Sequence, residues 1–551
     1  MAVQQDGAHP GVLHMQKLRA NLEAETLPDS LGALVRSAAE AQGDKTLANW
    51  FEDGESLTYR QFDETVDRLA SSLVAAGVRK GTHVAVMLPN VPAFPISWVA
   101  LGRIGAVMVP VNTAYRSDEL FFVLNDSDAQ FLIVDAAFLP VFQAIEEPLP
   151  LLAAARVVLH GEAREGYAHW QSLATEGALP FDPPSAVSRG DLLNIQYTSG
   201  TTGFPKGCML SHDYWMIIGH YAARFRESDG EIRNSLIWAP FFYMDAQWQF
   251  LMTMILGATA HVARRISLSR FYDWLEDFEI NYCIFPEPAL KHRPPSEADR
   301  RVKLSYVSIY GWRVESRREV MERFGVVARE GYGMTEIGGA TIVPTIAEDK
   351  ALLPTCGLPG PFRALKIVDE AGREVTEPET TGELWVSGRS LLWGYYKRPE
   401  ANAESFRGRW FRTGDIFKRD ADGFYYIVGR IKDMVRRSGE NIAAREVEAA
   451  IATLEAVAEA AVVPVPDPLR REEVKVYLLL REGLTRADCP PEQVIAHCER
   501  HLADFKIPRY IAYMSEDFPR TPSRKIQKKN LMAQLDDLRQ GAYDREAGSW
   551  R

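Results

Sequence analysis

The chain has 551 residues, 46% hydrophobic and 25% charged, which predicts a globular protein with at least two domains. Its 74 acidic residues outnumber its 63 lysines and arginines, and the net charge of -11 argues against nucleic acid as a partner. The five cysteines form no Cys-x-x-Cys pair, which argues against a zinc ribbon or a disulfide framework. No stretch reaches the roughly 18 uninterrupted apolar residues of a membrane span, and Met1 to Leu18 lacks a secretion signal, so we expect a cytoplasmic protein with no integral membrane segment.

Helices and buried strands alternate in the first part of the chain. Thr58 and Gln61 fit a capping box, and apolar residues at helical spacing follow as far as Gly77. The apolar segments His83 to Leu88 and Gly105 to Val111 are typical of buried strands. This alternation predicts an α/β fold with a doubly wound parallel sheet.

Asp191 to Tyr197 is predicted to be a further strand that leads into a Gly/Thr/Ser loop, after which Ser211 caps a helix. A strand, a polar loop and a helix in this order often bind a ligand. Around residues 355–430 short apolar segments are broken by Gly, Pro and Asp, which predicts antiparallel strands. After about residue 431 the pattern predicts a small α+β domain.

The run YTSGTTGFPKG, Tyr197 to Gly207, is suited to hold phosphate. Its glycines permit close approach, its hydroxyls and amides donate hydrogen bonds, and Lys206 adds positive charge. A solvated turn has the same composition, so the loop alone leaves both interpretations open. It is not a Walker loop, because Gly207 follows Lys206 where a hydroxyl residue is needed. The candidate phosphate ligands are Thr198, Ser199, Gly200, Thr201, Thr202, Gly203 and Lys206.

Further motifs follow this loop along the chain. They are GYGMTE from Gly331 to Glu336, RTGD from Arg412 to Asp415, GRIKDMVRRSGENI from Gly429 to Ile442, and PRTPSRKIQK from Pro519 to Lys528. Together with the phosphate loop, and in this order, they resemble the adenylate-forming superfamily, which includes acyl-CoA synthetases, adenylation domains of peptide synthetases and luciferase.

The resemblance implies a fold. Residues 1–430 are expected to form a large N-terminal domain that combines two doubly wound subdomains with a distorted β-barrel, the β-rich part lying at about 355–430. Residues 431–551 are expected to form a small, mobile α+β lid domain.

The resemblance also implies roles in a nucleotide site. The loop holds the β and γ phosphates of ATP, Thr335 contacts phosphate, and Glu336 binds Mg²⁺, a hard cation that prefers oxygen ligands. Asp415 accepts hydrogen bonds from the ribose hydroxyls, and Arg430 binds near ribose and phosphate. Tyr332 offers adenine a flat apolar face. Without the motif, the glutamate would be taken for a surface acid and the tyrosine for core packing.

Lys525 matches the catalytic lysine of the family, whose charge stabilises the transition state between the substrate carboxylate and the α-phosphate. The family commonly has glycine before this lysine, whereas this chain has Arg524. By the same resemblance, Lys432 is the hinge about which the lid rotates between two half-reactions. The residues expected near coenzyme A (CoA) are Arg436, Arg437 and Gly439.

The acyl pocket is the least conventional part of the chain. Tyr243, in the segment APFFYMDAQW, stands where relatives have an aromatic residue or histidine, and SIYGWR, Ser308 to Arg313, stands where many carry Gly-Gly-Ala. The MDAQ run resembles the carnitine and crotonobetaine CoA ligases, which suggests that Asp245, among aromatic side chains, holds a small polar or cationic acid. Aryl acids suit such a pocket equally. The pocket candidates are Trp238, Tyr243, Asp245, Tyr310 and Trp312, with Trp248 close to them in sequence.

The expected function is that of an AMP-forming carboxylic acid–CoA ligase. The acid attacks the α-phosphate of ATP and releases pyrophosphate, and the CoA thiol then displaces AMP, with ATP, Mg²⁺ and CoA as the required small molecules. One alternative is a stand-alone adenylation enzyme that loads a carrier-protein phosphopantetheine. Another is a non-catalytic nucleotide-binding relative, against which the presence of the key charged residues argues. The identity of the acid and the oligomeric state, including a homo-oligomer, stay open.

Overall fold

The computed structural model describes residues 8–198, 205–227, 232–438, 440–520 and 525–551. The strands of these residues form four sheets, of which two are mainly parallel. The predicted α/β fold class is confirmed. None of the helices in the described ranges is long and apolar enough to cross a membrane. All five cysteines are free and buried.

The first sheet is covered on both faces. In strand His83–Met87, Val84 and Val86 belong to one hydrophobic cluster, while Ala85 and Met87 belong to another. This double burial explains why the strand is an almost continuous apolar run. In spatial order the sheet contains Ala168–His169, Val157–His160, Phe131–Asp135, His83–Met87, Val107–Pro110, Leu192–Thr198 and Lys206–Ser211.

The last strand of that sheet corrects one prediction. The phosphate loop was expected to lead directly into a helix, but Lys206–Ser211 pairs antiparallel with Leu192–Thr198 before the helix His212–Glu227 begins. Residues of this extra strand are largely buried, so its short apolar pattern was hidden beside the glycine-rich loop. Ser211 still caps the helix, because its hydroxyl accepts a hydrogen bond from the amide of Tyr214 over 3.2 Å.

The second sheet is wound in the same way, with Leu236 and Ile237 in different hydrophobic clusters. Its central strands are parallel, and antiparallel strands extend both edges. In spatial order it contains Leu358–Pro359, Gly338–Ile342, Val327–Met334, Tyr306–Ile309, Tyr282–Ile284, Asn234–Ile237, Thr259–Val262, Thr46–Trp50 and Glu55–Thr58.

The other two sheets follow in the chain. The antiparallel sheet contains Glu374–Val375, Arg363–Val368, Gly382–Gly388, Trp410–Arg419 and Phe406–Arg407, with Tyr425–Arg430 paired to the long strand. The C-terminal sheet contains Glu440–Ala443, Met434–Arg437, Arg471–Leu480, Tyr510–Tyr513, Tyr543–Asp544 and Ser549–Trp550, with Val457–Asp467 also paired to Arg471–Leu480.

Helices connect these strands. The predicted capping box is present at Thr58, which begins the helix Tyr59–Ala75. The other α-helices are Pro10–Ala24, Leu31–Gln42, Ala93–Ile104, Ser117–Asp126, Leu139–Gln143, Trp170–Glu176, His212–Glu227, Met244–Ile255, Phe271–Asp277, Glu287–His292, Val314–Phe324, Glu348–Ala351, Pro399–Ser405, Ala444–Ile451, Pro491–His501 and Lys528–Met532. Short 3₁₀ turns span Ala154–Arg156, Glu297–Arg301, Ile431–Asp433 and Asp504–Lys506.

Candidate functional site

The candidate residues lie where parallel strands of the second sheet end. Trp238 follows strand Asn234–Ile237, Tyr310 follows strand Tyr306–Ile309, and Thr335 follows the next strand in space. The carboxyl ends of parallel strands meet at one edge of a sheet, which is where ligands bind in open α/β folds. The topology therefore brings together residues that are far apart in sequence.

The phosphate loop joins two strands that pair Thr198 with Lys206. The Lys206 ammonium lies 4.5 Å from the centre of the Tyr395 ring. The Tyr395 hydroxyl donates a hydrogen bond to the Glu336 carboxylate over 2.8 Å. Tyr395 thus links the predicted phosphate-binding lysine to the predicted metal ligand. The loop candidates outside the described residues are Ser199, Gly200, Thr201, Thr202 and Gly203, and they stay predictions.

Glu336 is only 7% exposed. Burial raises the pKa of its carboxyl group, and the hydrogen bond from Tyr395 acts in the opposite direction. In the described ranges, no group of three or more His, Cys, Asp or Glu side chains is arranged to hold a metal ion. A single buried carboxylate near a phosphate-binding lysine nevertheless fits Mg²⁺, which takes most of its ligands from phosphate and water in such sites.

Thr335 contacts both halves of the site. Its hydroxyl donates to the sulfur of Met244 over 3.5 Å, and its carbonyl accepts a hydrogen bond from the Tyr214 hydroxyl over 3.0 Å. Met244 is the first residue of the helix that carries Asp245. The predicted phosphate contact is therefore in direct contact with the helix of the acyl pocket.

Asp415 and Arg430 face each other on adjacent antiparallel strands, next to a bulge at Val428. The Arg430 guanidinium lies 3.0 Å from one Asp415 oxygen, and the Tyr332 hydroxyl donates to the other over 2.6 Å. Asp415 is 3% exposed. Burial raises the pKa of its carboxyl group, although the positive charge of Arg430 opposes this shift. The motifs RTGD, GYGMTE and GRIKD thus meet at one carboxylate.

Lys525 lies at the same site although it is far along the chain. Its side chain is accessible to solvent, but protein surrounds it closely. This burial and the nearby Arg430 lower the pKa of its ammonium group, and the carboxylates of Asp245, Asp415 and Glu336 act in the opposite direction. The lysine therefore lies within electrostatic range of both the nucleotide site and the acyl pocket. Arg524 lies outside the described residues.

The residues predicted for the hinge and for CoA lie at the start of the C-terminal region. Lys432 lies in the 3₁₀ turn Ile431–Asp433, and its side chain and Gly439 are not described. Arg436 is half-buried. The Arg437 guanidinium forms an ion pair of 2.6 Å with buried Glu473. Arg437 thus pairs with a carboxylate of the C-terminal sheet, and its contact with CoA stays a prediction.

The predicted acyl pocket contains an accessible carboxylate among aromatic rings. Asp245 is exposed to solvent, and desolvation by the protein packed around it raises the pKa of its carboxyl group. Tyr310 has the same character, with 48% of its surface exposed and a strongly raised pKa caused by burial. Tyr243 is half-buried and accepts a hydrogen bond from Asn112 over 3.2 Å. The Trp248 indole donates to Asp245 over 3.1 Å.

The two remaining pocket candidates differ. Trp238 is half-buried and donates to the carbonyl of Ile284 over 2.7 Å. Trp312 is 7% exposed and packs edge-on against Phe285 in a hydrophobic cluster. Trp312 was expected to line the pocket, but the turn after the strand directs its side chain into the core instead.

Tyr395, Met244 and Arg226 were missed as candidates. Tyr395 belongs to a tyrosine pair in an irregular segment, where nothing in the sequence indicates which ring faces the site. Met244 resembles a packing residue. Arg226 lies in the last turn of a helix, where a cation is expected to complement the helix dipole at the surface. It is instead 4% exposed.

The sequence matches known protein families and individual CoA ligases. The family model described as AMP-binding enzyme matches residues 35–396, and that of the AMP-binding enzyme C-terminal domain matches residues 446–525. A crotonobetaine/carnitine–CoA ligase from Citrobacter koseri is 32% identical over 516 residues, which cover 90% of this chain and 97% of that protein. The Escherichia coli O45:K1 protein of the same name is 32% identical over 513 residues, with the same coverage.

Solved structures share the fold. Anthranilate CoA ligase AuaEII in complex with anthranoyl-AMP has a TM-score of 0.81 at 23% identity, covering 93% of this chain and 98% of that chain. ATP-bound MatB from Rhodopseudomonas palustris has a TM-score of 0.81 at 24% identity, covering 92% and 99%. The o-succinylbenzoate CoA synthetase of Bacillus subtilis with ATP and magnesium ion has a TM-score of 0.76 at 24% identity, covering 91% and 99%.

Proposed function

This chain belongs to the AMP-binding enzyme family, and on that premise we propose that it is a CoA ligase for short carboxylic acids that carry a quaternary ammonium group. The family and the AMP-forming acid–CoA ligase class expected from the sequence are confirmed. The crotonobetaine/carnitine–CoA ligases among its relatives support the choice of acid. The observation that carries this choice is Asp245, an accessible carboxylate in an aromatic pocket.

A quaternary ammonium group donates no N–H hydrogen bonds, so a protein recognises it by opposite charge and by the faces of aromatic rings. Asp245 supplies the charge, and the partly exposed rings of Tyr243 and Tyr310 supply the aromatic surface. Trp248 orients the Asp245 carboxylate through its indole N–H. In this arrangement the substrate ammonium lies against Asp245 while its carboxylate points toward Lys525.

In the first half-reaction a carboxylate oxygen of the acid attacks the α-phosphorus of ATP, and the bond between that phosphorus and pyrophosphate breaks. Lys525 stabilises the negative charge shared by the carboxylate and the α-phosphate. Asp415 orients the ribose, and Lys206 with its loop holds the leaving phosphates. Glu336 would hold Mg²⁺, which neutralises phosphate charge when bound.

In the second half-reaction the CoA sulfur attacks the acyl carbon. The bond between that carbon and the AMP oxygen breaks, and the thiol proton is lost to solvent. We place the lid at residues 431–551 and its hinge at Lys432, so that rotation withdraws Lys525 and admits the pantetheine arm near Gly439 and Arg436.

The test is pyrophosphate release with ATP and Mg²⁺, with and without CoA, for a short trimethylammonium carboxylate and its neutral tert-butyl isostere. We expect the cationic acid to be preferred and sustained turnover to require CoA. Asp245→Asn should remove the preference, while Asp273→Asn, a change at an exposed site on another helix, should not.

A clear preference for the neutral isostere, unaffected by Asp245→Asn, would exclude the cationic acid. Release of one pyrophosphate per enzyme that CoA does not accelerate would instead indicate another acceptor, such as a carrier-protein phosphopantetheine. The two results address different parts of the proposal, because the first concerns the acid and the second concerns the thiol.

A further inference from the structure

Arg226 is a buried cation that the two half-reactions do not use. Its guanidinium donates to the carbonyl of Ala222 over 2.9 Å and to the hydroxyl of Ser308 over 2.7 Å. Its Nε atom is buried without a hydrogen-bond partner, and no carboxylate of the described residues lies within ion-pair distance of it. An unpaired buried charge is costly, so its retention calls for a physical explanation.

Three aromatic rings surround this guanidinium. Its central carbon lies 5.2 Å from the centre of the Trp248 ring, 5.1 Å from that of Tyr282 and 5.2 Å from that of Tyr306. Cation–π attraction to these rings offsets part of the desolvation cost. The rings do not cancel the positive charge, however, and its field extends beyond them.

Trp248 places this charge relative to the acyl pocket. One part of the indole contacts Arg226, and its N–H donates to Asp245. Asp245 in turn lies within electrostatic range of Lys525. Charges of alternating sign therefore follow one another away from the reacting end of the acid: Lys525, then Asp245, then Arg226 behind the aromatic wall.

We infer that Arg226 is a specificity-determining residue: its charge confines the ammonium group of the substrate to Asp245 and rejects acids whose ammonium group would extend past Trp248. This inference rests on the proposed function, and it adds a limit on the distance between the carboxylate and the cation. Two unit charges about 10 Å apart at an effective dielectric constant of about 20 repel enough for a roughly tenfold change in kcat/KM.

The experiment uses trimethylammonium carboxylates of increasing chain length, each paired with its tert-butyl isostere. For each pair, kcat/KM for pyrophosphate release is measured in the full-length protein and in the variants Arg226→Met and Arg226→Lys. Methionine has similar reach without charge, and such a replacement of a buried charge is often tolerated. Ser308 also forms a hydrogen bond of 2.9 Å with Tyr282, so we expect its hydroxyl to keep a partner in either variant.

We expect Arg226→Met to raise the ratio of cationic to neutral acid by roughly tenfold for long chains and by less for short ones. Arg226→Lys, which keeps the charge, should retain the wild-type ratio. The comparison of each cationic acid with its neutral isostere controls for general damage to the fold. If Arg226 had only a structural role, its replacement would lower kcat/KM for both acids of a pair alike.

The inference is overturned if the ratio stays unchanged in Arg226→Met at every chain length, or if Arg226→Lys changes it as much as methionine does. A wild-type enzyme that rejects every cationic acid, together with a methionine variant that accepts them, would support the role of Arg226 while refuting the proposed substrate. Failure of the proposed function is thereby distinguished from failure of this inference.

Discussion

The nucleotide site and the acyl pocket are built in opposite ways. In the nucleotide site, Asp415 and Glu336 are buried and already accept hydrogen bonds from tyrosine hydroxyls. In the acyl pocket, Asp245 and Tyr310 are accessible to solvent. The groups proposed to bind ATP are thus preorganised by contacts within the protein, whereas those proposed to select the acid remain accessible to a ligand.

Removing Lys525 should produce the largest effect, because this residue serves both regions at once. Lys525→Ala is expected to slow pyrophosphate release by roughly a hundredfold to a thousandfold, since a charge at the transition state is lost. Thioester formation from added acyl-AMP and CoA should be retained. Lys529→Ala, an exposed lysine nearby, is the matched control. Equal loss in both half-reactions would refute the assignment.

Removing Asp415 tests the preorganised region alone. Asp415→Ala leaves the Arg430 guanidinium and the Tyr332 hydroxyl without their acceptor. We expect the KM for ATP to rise by about tenfold to a hundredfold, corresponding to about 1–3 kcal/mol, with a smaller change in the KM for the acid. Tyr332→Phe keeps the ring and should have a smaller effect. A larger change for the acid than for ATP would contradict the division between the regions.

The pH dependence of adenylation sharpens the same division. Burial and Arg430 lower the pKa of Lys525, so its charge is present at low pH and is lost as pH rises through a value below that of a free lysine. The rate should fall by about tenfold per pH unit above that pKa. Lys525→Arg should lack this alkaline decline, because arginine stays charged. The same decline in both proteins would assign it to another group.

The smallest expected effect concerns the support of Glu336. Tyr395→Phe removes the hydrogen bond to Glu336 but keeps the ring beside Lys206. A loss of about 1 kcal/mol should raise the Mg²⁺ concentration for half-maximal activity by about fivefold. The control is Tyr396→Phe, because the hydroxyl of Tyr396 donates to Asp128 and not to Glu336. Equal effects of the two changes would show that the hydroxyl does not act through Glu336.

The same contrast explains what the sequence could predict. The Asp415, Arg430 and Tyr332 cluster was predictable, because each residue lies in a recognisable motif. The core position of Trp312 was not predictable, because the backbone conformation just after a strand decides whether a side chain faces the pocket or the core. Arg226 was hidden for a similar reason, because helical position alone does not reveal that aromatic rings from other elements bury it.

The strand Lys206–Ser211 was missed because a glycine-rich loop interrupts the alternation by which strands are recognised. The parallel strands themselves were predictable from their short apolar runs. In each of these cases the outcome depends on contacts with residues that are distant in sequence. Local periodicity does not identify those contacts.

One extra residue sets which side chains meet at the proposed ribose position. Val428 is accommodated as a bulge, since Phe417 pairs with Ile427 while Asp415 pairs with Arg430. If Val428 were instead paired with Ile416 in a regular register, Gly429 would lie opposite Asp415 and Arg430 would turn to the other face. The bulge therefore decides that Arg430, and not Gly429, pairs with Asp415. The spacing of this hairpin is thus as much a part of the nucleotide site as its chemistry.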